Sequence, residues 1–344
     1  MKVTNKLNIP EKHILIVGNR SYKNLGDELI LLWTVKLLLE QKKKIIIAAY
    51  DPEWLKKFFS QFIDVTKITF VTEIPKGIRT RVKYIRQGKL KERKLYKKAD
   101  AVIIGWGEII TEENKNSYRY RLVSLLPVMK KPRYLMGWIQ VPKKIINRLL
   151  FRFILKKTKR IFARDNDTVH ELKKYGFDNV EFFMDTSFFA YDRKKINESL
   201  PTTRHSPALG MPGSLVTKNY VVVNLNKNAE KFLPEIIKDV KKLYNQWCEV
   251  MYVPVAKGEG EYYNDIRYAQ KIKKWAEIKN QRFTILDREN DFDYFVKTLA
   301  WANMVISSRL HLFLIANFLG VKTRVYPYQK KILKMQEMIR LLNT

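Results

Sequence analysis

The chain alternates short, wholly apolar runs with longer stretches of helical period. Residues 14–17 (ILIV) read as a buried strand, 27–41 as a helix, 44–49 as a strand, 53–62 as a helix and 68–72 as a strand. Strands that are apolar on both sides, separated by helices, predict a parallel sheet covered on both faces. Further runs at 101–104, 133–138, 161–163 and 180–184 continue the pattern, so residues 1–190 are expected to form one Rossmann-like domain, on the acceptor side. Residues 191–219 lose the period and collect Pro, Ser, Thr and Gly, which predicts a linker or an active-site flap. Strand-like runs at 220–224, 249–254, 283–286, 304–307 and 323–326 then predict a second, donor-binding domain over 220–327, and 328–344 reads as a C-terminal helix. In paired α/β domains of this kind, ligands are expected at the carboxyl ends of the strands, with the two parallel sheets facing a central cleft.

Composition narrows the class without choosing a function. With 344 residues and 46% hydrophobic content, the chain can build two cores of ordinary domain size. A single cysteine, Cys248, excludes an internal disulfide and fits a reducing compartment. Residues 1–10 are polar, and the longest apolar stretch, 29–39, is interrupted by Lys36 and too short to span a bilayer. The expectation is a cytoplasmic protein, soluble or peripheral on the inner face of the membrane. Against 34 acidic residues stand 66 basic ones, a formal charge of +32. That excess projects positive potential toward nucleic acid, anionic lipid head groups or a small anionic substrate. A coding bias toward Lys, Ile and Asn would raise the cations but does not explain the shortage of acids. The four histidines, His13, His170, His205 and His311, are scattered without ligand spacing, so no metal is expected.

Two motifs follow strand-like runs at opposite ends of the chain: GNRSYKNLGDE at 18–28 and ISSRLHLFLIANFLG at 306–320. Each has the strand, turn, helix layout that builds the rim of an α/β site. Gly18, Asn24, Leu25, Gly26, Asp27 and Glu28, with Ser307, Arg309, Leu310 and His311, resemble the polysaccharide pyruvyl transferase family, which begins with a GNxGDE-like turn and ends with an S-x-R-L-H helix. AVIIGWGEIITE at 101–112 and IFARDNDTVHELKKYG at 161–176 add to the likeness, which covers residues 12–327. The resemblance implies a GT-B-like fold and phosphoenolpyruvate as co-substrate, with no other cofactor. It also implies a sugar acceptor on a cell-surface polysaccharide or its lipid- or nucleotide-linked precursor. The products would be a pyruvate ketal and phosphate.

That chemistry needs an acid for the enol carbon, cations for the carboxylate and phosphate, and a base for the sugar hydroxyl. Arg309 offers a planar fork for an oxyanion, and His311, at a helix start, an acid or hydrogen-bond donor. Ser307, Ser308 and Leu310 complete the expected donor turn, whose backbone amides favour anions. The competing reading has Arg309 in a salt bridge and His311 in the domain core. Glu108, after Gly105 and Gly107 at an expected strand end, is the candidate base, although Trp106 stands where the family has glycine. Gly18 and Gly26 would let the backbone approach the acceptor. Asn24 would hydrogen-bond it, and Asp27 and Arg164 are further cleft candidates. Asp27 and Glu28 are equally explained by the helix dipole, and Asp165 or Asn166 by capping the next helix. After the first strand of the second domain the family tends to place a donor-contacting arginine. This chain has Asn226 and then Lys227, a point charge without the bidentate fork.

In residues 143–160, Lys144, Arg148, Arg152 and Lys156 recur every four positions, as do Ile145, Leu149 and Phe153. Such a segment is either a crossover helix packing its apolar face on the sheet or a basic amphipathic helix for an anionic membrane; both hold if the basic face stays outside. Two other functions stay open: a GT-B glycosyltransferase using a nucleotide sugar, and a basic nucleic-acid-binding protein. The latter rests on charge alone, since no helix-turn-helix, zinc or RNP-type signature occurs.

Overall fold

The computed structural model describes residues 7–18, 23–74, 78–88, 91–110, 130–156, 158–183, 219–246, 248–258, 264–279, 282–286, 292–329, 332–333 and 335–337, with backbone alone for 78, 81, 91–93, 106–110, 138 and 293. The expected flap at 191–219 lies outside these apart from Asn219, as does most of the expected C-terminal helix. The chain divides into two compact units, one of Met1–Ser21 and Asp27–Ala190, the other of Tyr22–Gly26 and Tyr191–Thr344.

The first half carries β1 (His13–Val17), α1 (Leu25–Glu40), β2 (Lys44–Ala49), α2 (Pro52–Phe59), β3 (Ile68–Thr72) and α3 (Ile78–Arg86). It continues with β4 (Ala101–Ile110), β5 (Arg133–Ile139), α4 (Ile145–Leu155), β6 (Thr158–Ala163), α5 (Asn166–Lys174) and β7 (Val180–Phe182). The strands form a parallel seven-stranded sheet in the order β3-β2-β1-β4-β5-β6-β7. Ile14, Leu15, Ile16 and Val17 are all buried, as a strand covered on both faces requires. Leu15, Val17, Val102 and Ile104 pack in one core with Tyr84 of α3, Tyr96, Phe151 of α4 and Leu172 of α5. Helix α1 is apolar nearly all round and is correspondingly buried at Leu29, Leu31, Leu32, Val35 and Leu38. Helix α2 starts where Asp51 accepts a hydrogen bond from Trp54 N at 3.1 Å and Pro52 fills the first turn.

The second unit carries β8 (Tyr220–Asn224), a 3₁₀ turn (Lys227–Phe232), α6 (Leu233–Asn245), β9 (Glu249–Tyr252) and α7 (Arg267–Trp275). After these come β10 (Phe283–Ile285), α8 (Phe292–Trp301), β11 (Met304–Ser307), α9 (Leu310–Phe318) and β12 (Thr323–Val325). Its strands form a parallel five-stranded sheet in the order β10-β9-β8-β11-β12. Both sheets reverse their direction of growth once, between β1 and β4 and between β8 and β11. The connections diverge at such a reversal and leave an opening at the carboxyl ends of the two strands.

Candidate active site

At the reversal in the second sheet, Asn224 ends β8 beside Ser307 at the end of β11. Ser307 Oγ accepts a hydrogen bond from Arg309 N at 2.9 Å and donates to Arg309 O at 3.0 Å, closing a tight turn into α9. Ser308 Oγ accepts from Asn226 N at 2.9 Å and ties the two strand ends together. Both hydroxyls expected to bind the donor are thus engaged with backbone at the turn, and both residues are buried. Leu310 is buried as well.

Arg309 turns its fork on Asp265. Nη2 donates to Oδ1 at 2.6 Å and Nε to Oδ2 at 3.1 Å. Asp265, 1% exposed, also accepts from Asn224 Nδ2 at 3.1 Å, Val255 N at 3.2 Å and Ala256 N at 3.1 Å. Burial by itself would lower the guanidinium's pKa, but the Asp265 charge and hydrogen bonds outweigh it and hold the group above its ordinary value. The salt-bridge alternative for Arg309 is what the structure contains. Beneath it, the Tyr252 hydroxyl lies 2.6 Å from the Asp265 carbonyl, and burial above all pushes its pKa well up. Asn224 Oδ1 and Asn226 Nδ2, on residues no more than 1% exposed, have no hydrogen-bond partner among the described residues. They leave one acceptor and one donor open at the end of β8.

His311 lies in the first turn of α9 against Gly26: a β-carbon built on Gly26 would overlap the imidazole ring. Asn24 and Gly26, expected in the acceptor-side domain, group with the second unit because their backbone pairs there. Leu25 N donates to Val255 O at 3.1 Å, Lys257 N donates to Lys23 O at 3.2 Å, and Asn24 bridges Ala256 in antiparallel fashion. Asn24 Oδ1 accepts from Gly26 N at 3.3 Å, so this side chain shapes its own turn. Lys23 at the head of the segment has φ +52°, a left-handed conformation uncommon outside glycine. The two end motifs thus meet in one cluster of loops: 23–26, 224–226, 253–257, Asp265 and 307–311.

Other sequence candidates are placed elsewhere. Lys227 Nζ lies 2.6 Å from Glu230 Oε2, and Lys271 Nζ is 2.7 Å from Glu230 Oε1. The local carboxylate thus neutralises the cation that stands nearest the missing arginine. In the first unit, Gly18 has φ +92° and donates its N–H to Glu73 Oε1 at 3.2 Å just past β1. Asp27 occupies the first turn of α1. Gly105 and the backbone of Gly107 and Glu108 lie inside β4 rather than past its end, because β5 extends the pairing through two register shifts to Ile110. The side chain of Glu108 lies outside the described residues. Arg164 follows β6, and Asp165 caps α5, accepting from Thr168 N at 2.9 Å and Oγ1 at 2.7 Å. Asp265 was not legible in the sequence: it is a lone acid in YYNDIR, with no motif to mark it.

The family model for polysaccharide pyruvyl transferases matches residues 24–330. The chain belongs to the polysaccharide pyruvyl transferase family. Membership indicates a pyruvyl transferase of polysaccharide biosynthesis, with a sugar as acceptor. No curated protein matches the sequence. Among solved structures, this pyruvyl transferase family member is similar to the UDP-GlcNAc 2-epimerase of Methanocaldococcus jannaschii in complex with UDP-GlcNAc and UDP (TM-score 0.55, 12% identity, 94% of this chain and 86% of that one). It is also similar to the UDP-N-acetylglucosamine 2-epimerase of Rickettsia bellii (0.54, 15%, 91% and 78%) and a glycosyltransferase of Rickettsia africae (0.52, 12%, 92% and 79%). These likenesses establish the α/β two-domain fold as GT-B-like. Among the described residues, no group of three or more His, Cys, Asp or Glu could hold a metal ion, and no helix is long and apolar enough to cross a membrane.

Proposed function

We propose that the protein transfers the pyruvyl group of phosphoenolpyruvate to two hydroxyls of one sugar, releasing phosphate and forming a pyruvate ketal. The observation that carries this reading is the meeting of the two end motifs at His311 and Gly26, beside the buried Arg309–Asp265 pair. In this reading the donor's anionic groups lie at the amino end of α9, where backbone amides and the helix dipole favour negative charge. Arg309 acts there as a positioning residue, since Asp265 occupies two of its nitrogens and fixes where the helix begins. His311 delivers a proton to the methylene carbon of the enol, which becomes the ketal methyl. One sugar oxygen then bonds to the central carbon, the bond from that carbon to the phosphate oxygen breaks, and the second sugar oxygen closes the ring. Of the two hydroxyl protons, one restores His311 and the other leaves on phosphate. Asn224 Oδ1 and Asn226 Nδ2 supply hydrogen bonds to bound groups; left unpaired, each would cost about 1–3 kcal/mol.

Calorimetric titration of phosphoenolpyruvate, UDP and UDP-GlcNAc into the wild-type protein and His311→Gln tests this. The expected result is phosphoenolpyruvate binding that weakens at least about tenfold in the variant, a loss typical of one charge-assisted contact. The second reading, a nucleotide-sugar transferase, draws on the fold shared with enzymes solved with UDP and on Asn226 and Lys227 standing after β8 in place of the family's arginine. Binding of UDP or UDP-GlcNAc with no response to phosphoenolpyruvate would establish that reading instead.

A further inference from the structure

Helix α4 has two apolar faces. Phe151, Ile154 and Leu155 are buried in the first unit's core, whereas Ile145, Ile146, Leu149 and Phe153 are 75%, 68%, 63% and 42% exposed. At about 100° per residue the second set lies opposite the first. The stripe of Ile145, Leu149 and Phe153 that the sequence offered to the sheet therefore faces solvent, and the sheet is covered by a different set. Arg148, Arg152 and Lys156, all exposed, line one edge of that outward stripe.

Helix α3 repeats the arrangement on the same side of the sheet. Its Tyr84 enters the core that holds Phe151 of α4, while Val82 and Ile85 are exposed among the exposed Arg79, Lys83 and Arg86. Neither α3 nor α4 contains an acidic residue. A water-facing helix normally presents polar groups on its outer side; these two present aliphatic and aromatic groups edged by long cations. Side chains of that kind seat their apolar parts at the acyl boundary and reach back to head-group phosphates with their charged ends.

We infer that the helix layer of the first unit formed by α3 and α4 is a docking surface for an anionic lipid bilayer, on which the protein lies peripherally. Charge complementarity selects the occupant. The chain carries +32 overall, and these two helices contribute cations without a compensating acid, so head groups of negative charge attract them while exposed Ile, Leu and Phe enter the interface. Such binding combines both terms and weakens when salt screens the charges.

The test is flotation of the full chain with phosphatidylcholine vesicles, with and without phosphatidylglycerol, at low and high salt. The wild-type protein is expected to float only with phosphatidylglycerol and to release at high salt. Leu149→Glu/Phe153→Glu, which alters exposed positions only, is expected to lower the partition coefficient at least about tenfold while keeping the circular dichroism spectrum and melting temperature. Lys83→Gln/Lys156→Gln is expected to bind more weakly with a shallower salt dependence. Wild-type protein that stays in the bottom fraction at low salt, or a double-glutamate variant that floats as well as wild type, would overturn the inference. So would a dimer that the glutamates dissociate without any flotation, since a second copy would then cover this face. No substrate enters the measurement, so its outcome is independent of pyruvyl transfer.

Discussion

Arg309 and Asp265 face each other through two parallel hydrogen bonds, 2.6 Å from Nη2 to Oδ1 and 3.1 Å from Nε to Oδ2, with the carboxylate side chain 2% exposed. The pair is not symmetric. Asp265 also accepts from Asn224 and two backbone amides, so Asp265→Ala removes the carboxylate that faces a buried cation and three other donors. A loss of about 3–5 kcal/mol in urea unfolding is expected. Arg309→Met leaves the carboxylate with its three remaining donors and is expected to cost less, about 1–3 kcal/mol. Equal losses in the two variants would show that the guanidinium alone holds Asp265.

Gly26 carries no side chain because the His311 ring occupies the space a β-carbon would need. Gly26→Ala is expected to displace the imidazole and, with His311 in its proposed role as the acid, to reduce turnover at least about tenfold. The same overlap predicts non-additive stability. With His311→Ala in the background, Gly26→Ala should cost at least about 0.5 kcal/mol less than it does alone. A double-mutant cycle by chemical denaturation, with additive losses as the contrary outcome, measures this.

Much of the fold was legible because parallel strands buried on both faces have to be continuous apolar runs; ILIV, VVVN and MVIS announce β1, β8 and β11 directly. The strand order was not, since it is set by which crossovers pack together. The site was half legible. Ser307, Arg309 and His311 could be found because they adjoin one another in sequence, and Gly26 because it sits in a motif. Their partners could not. Asp265 comes from a loop 44 residues before Arg309, and its pairing depends on β9 lying next to β8. Which face of α4 points outward stayed open in the sequence for a related reason. Its period of four fits two opposite apolar faces, and only the sheet beneath decides which is buried.

Cys248 is buried, and that burial raises its thiol pKa despite the nearby Arg282 charge. A thiol held protonated and covered reacts slowly. Ellman's reagent at mildly alkaline pH is expected to modify native protein at least about tenfold more slowly than urea-unfolded protein. Equal rates would mean that the strand end at β9 opens readily.

Glu230 sits between Lys227 and Lys271, at 2.6 Å and 2.7 Å, and the hydrogen bonds from these two lysines lower its pKa from 4.5 to about 2. A carboxylate with a depressed folded-state pKa binds its proton more readily in the unfolded chain, so it stabilises the fold above the unfolded value and loses that contribution as pH falls. The window runs from about pH 4.5 down to about pH 2. The side chain is 31% exposed, so solvent screening limits the effect to about 1 kcal/mol. Glu230→Gln is therefore expected to be less stable than wild type by a constant, small amount near neutral pH. The difference should shrink through the window and vanish near its lower end, as followed by urea unfolding at a series of pH values. If the difference stayed the same down to the lowest pH, the loss would come from packing rather than charge, and the lysines would not be holding Glu230 ionised.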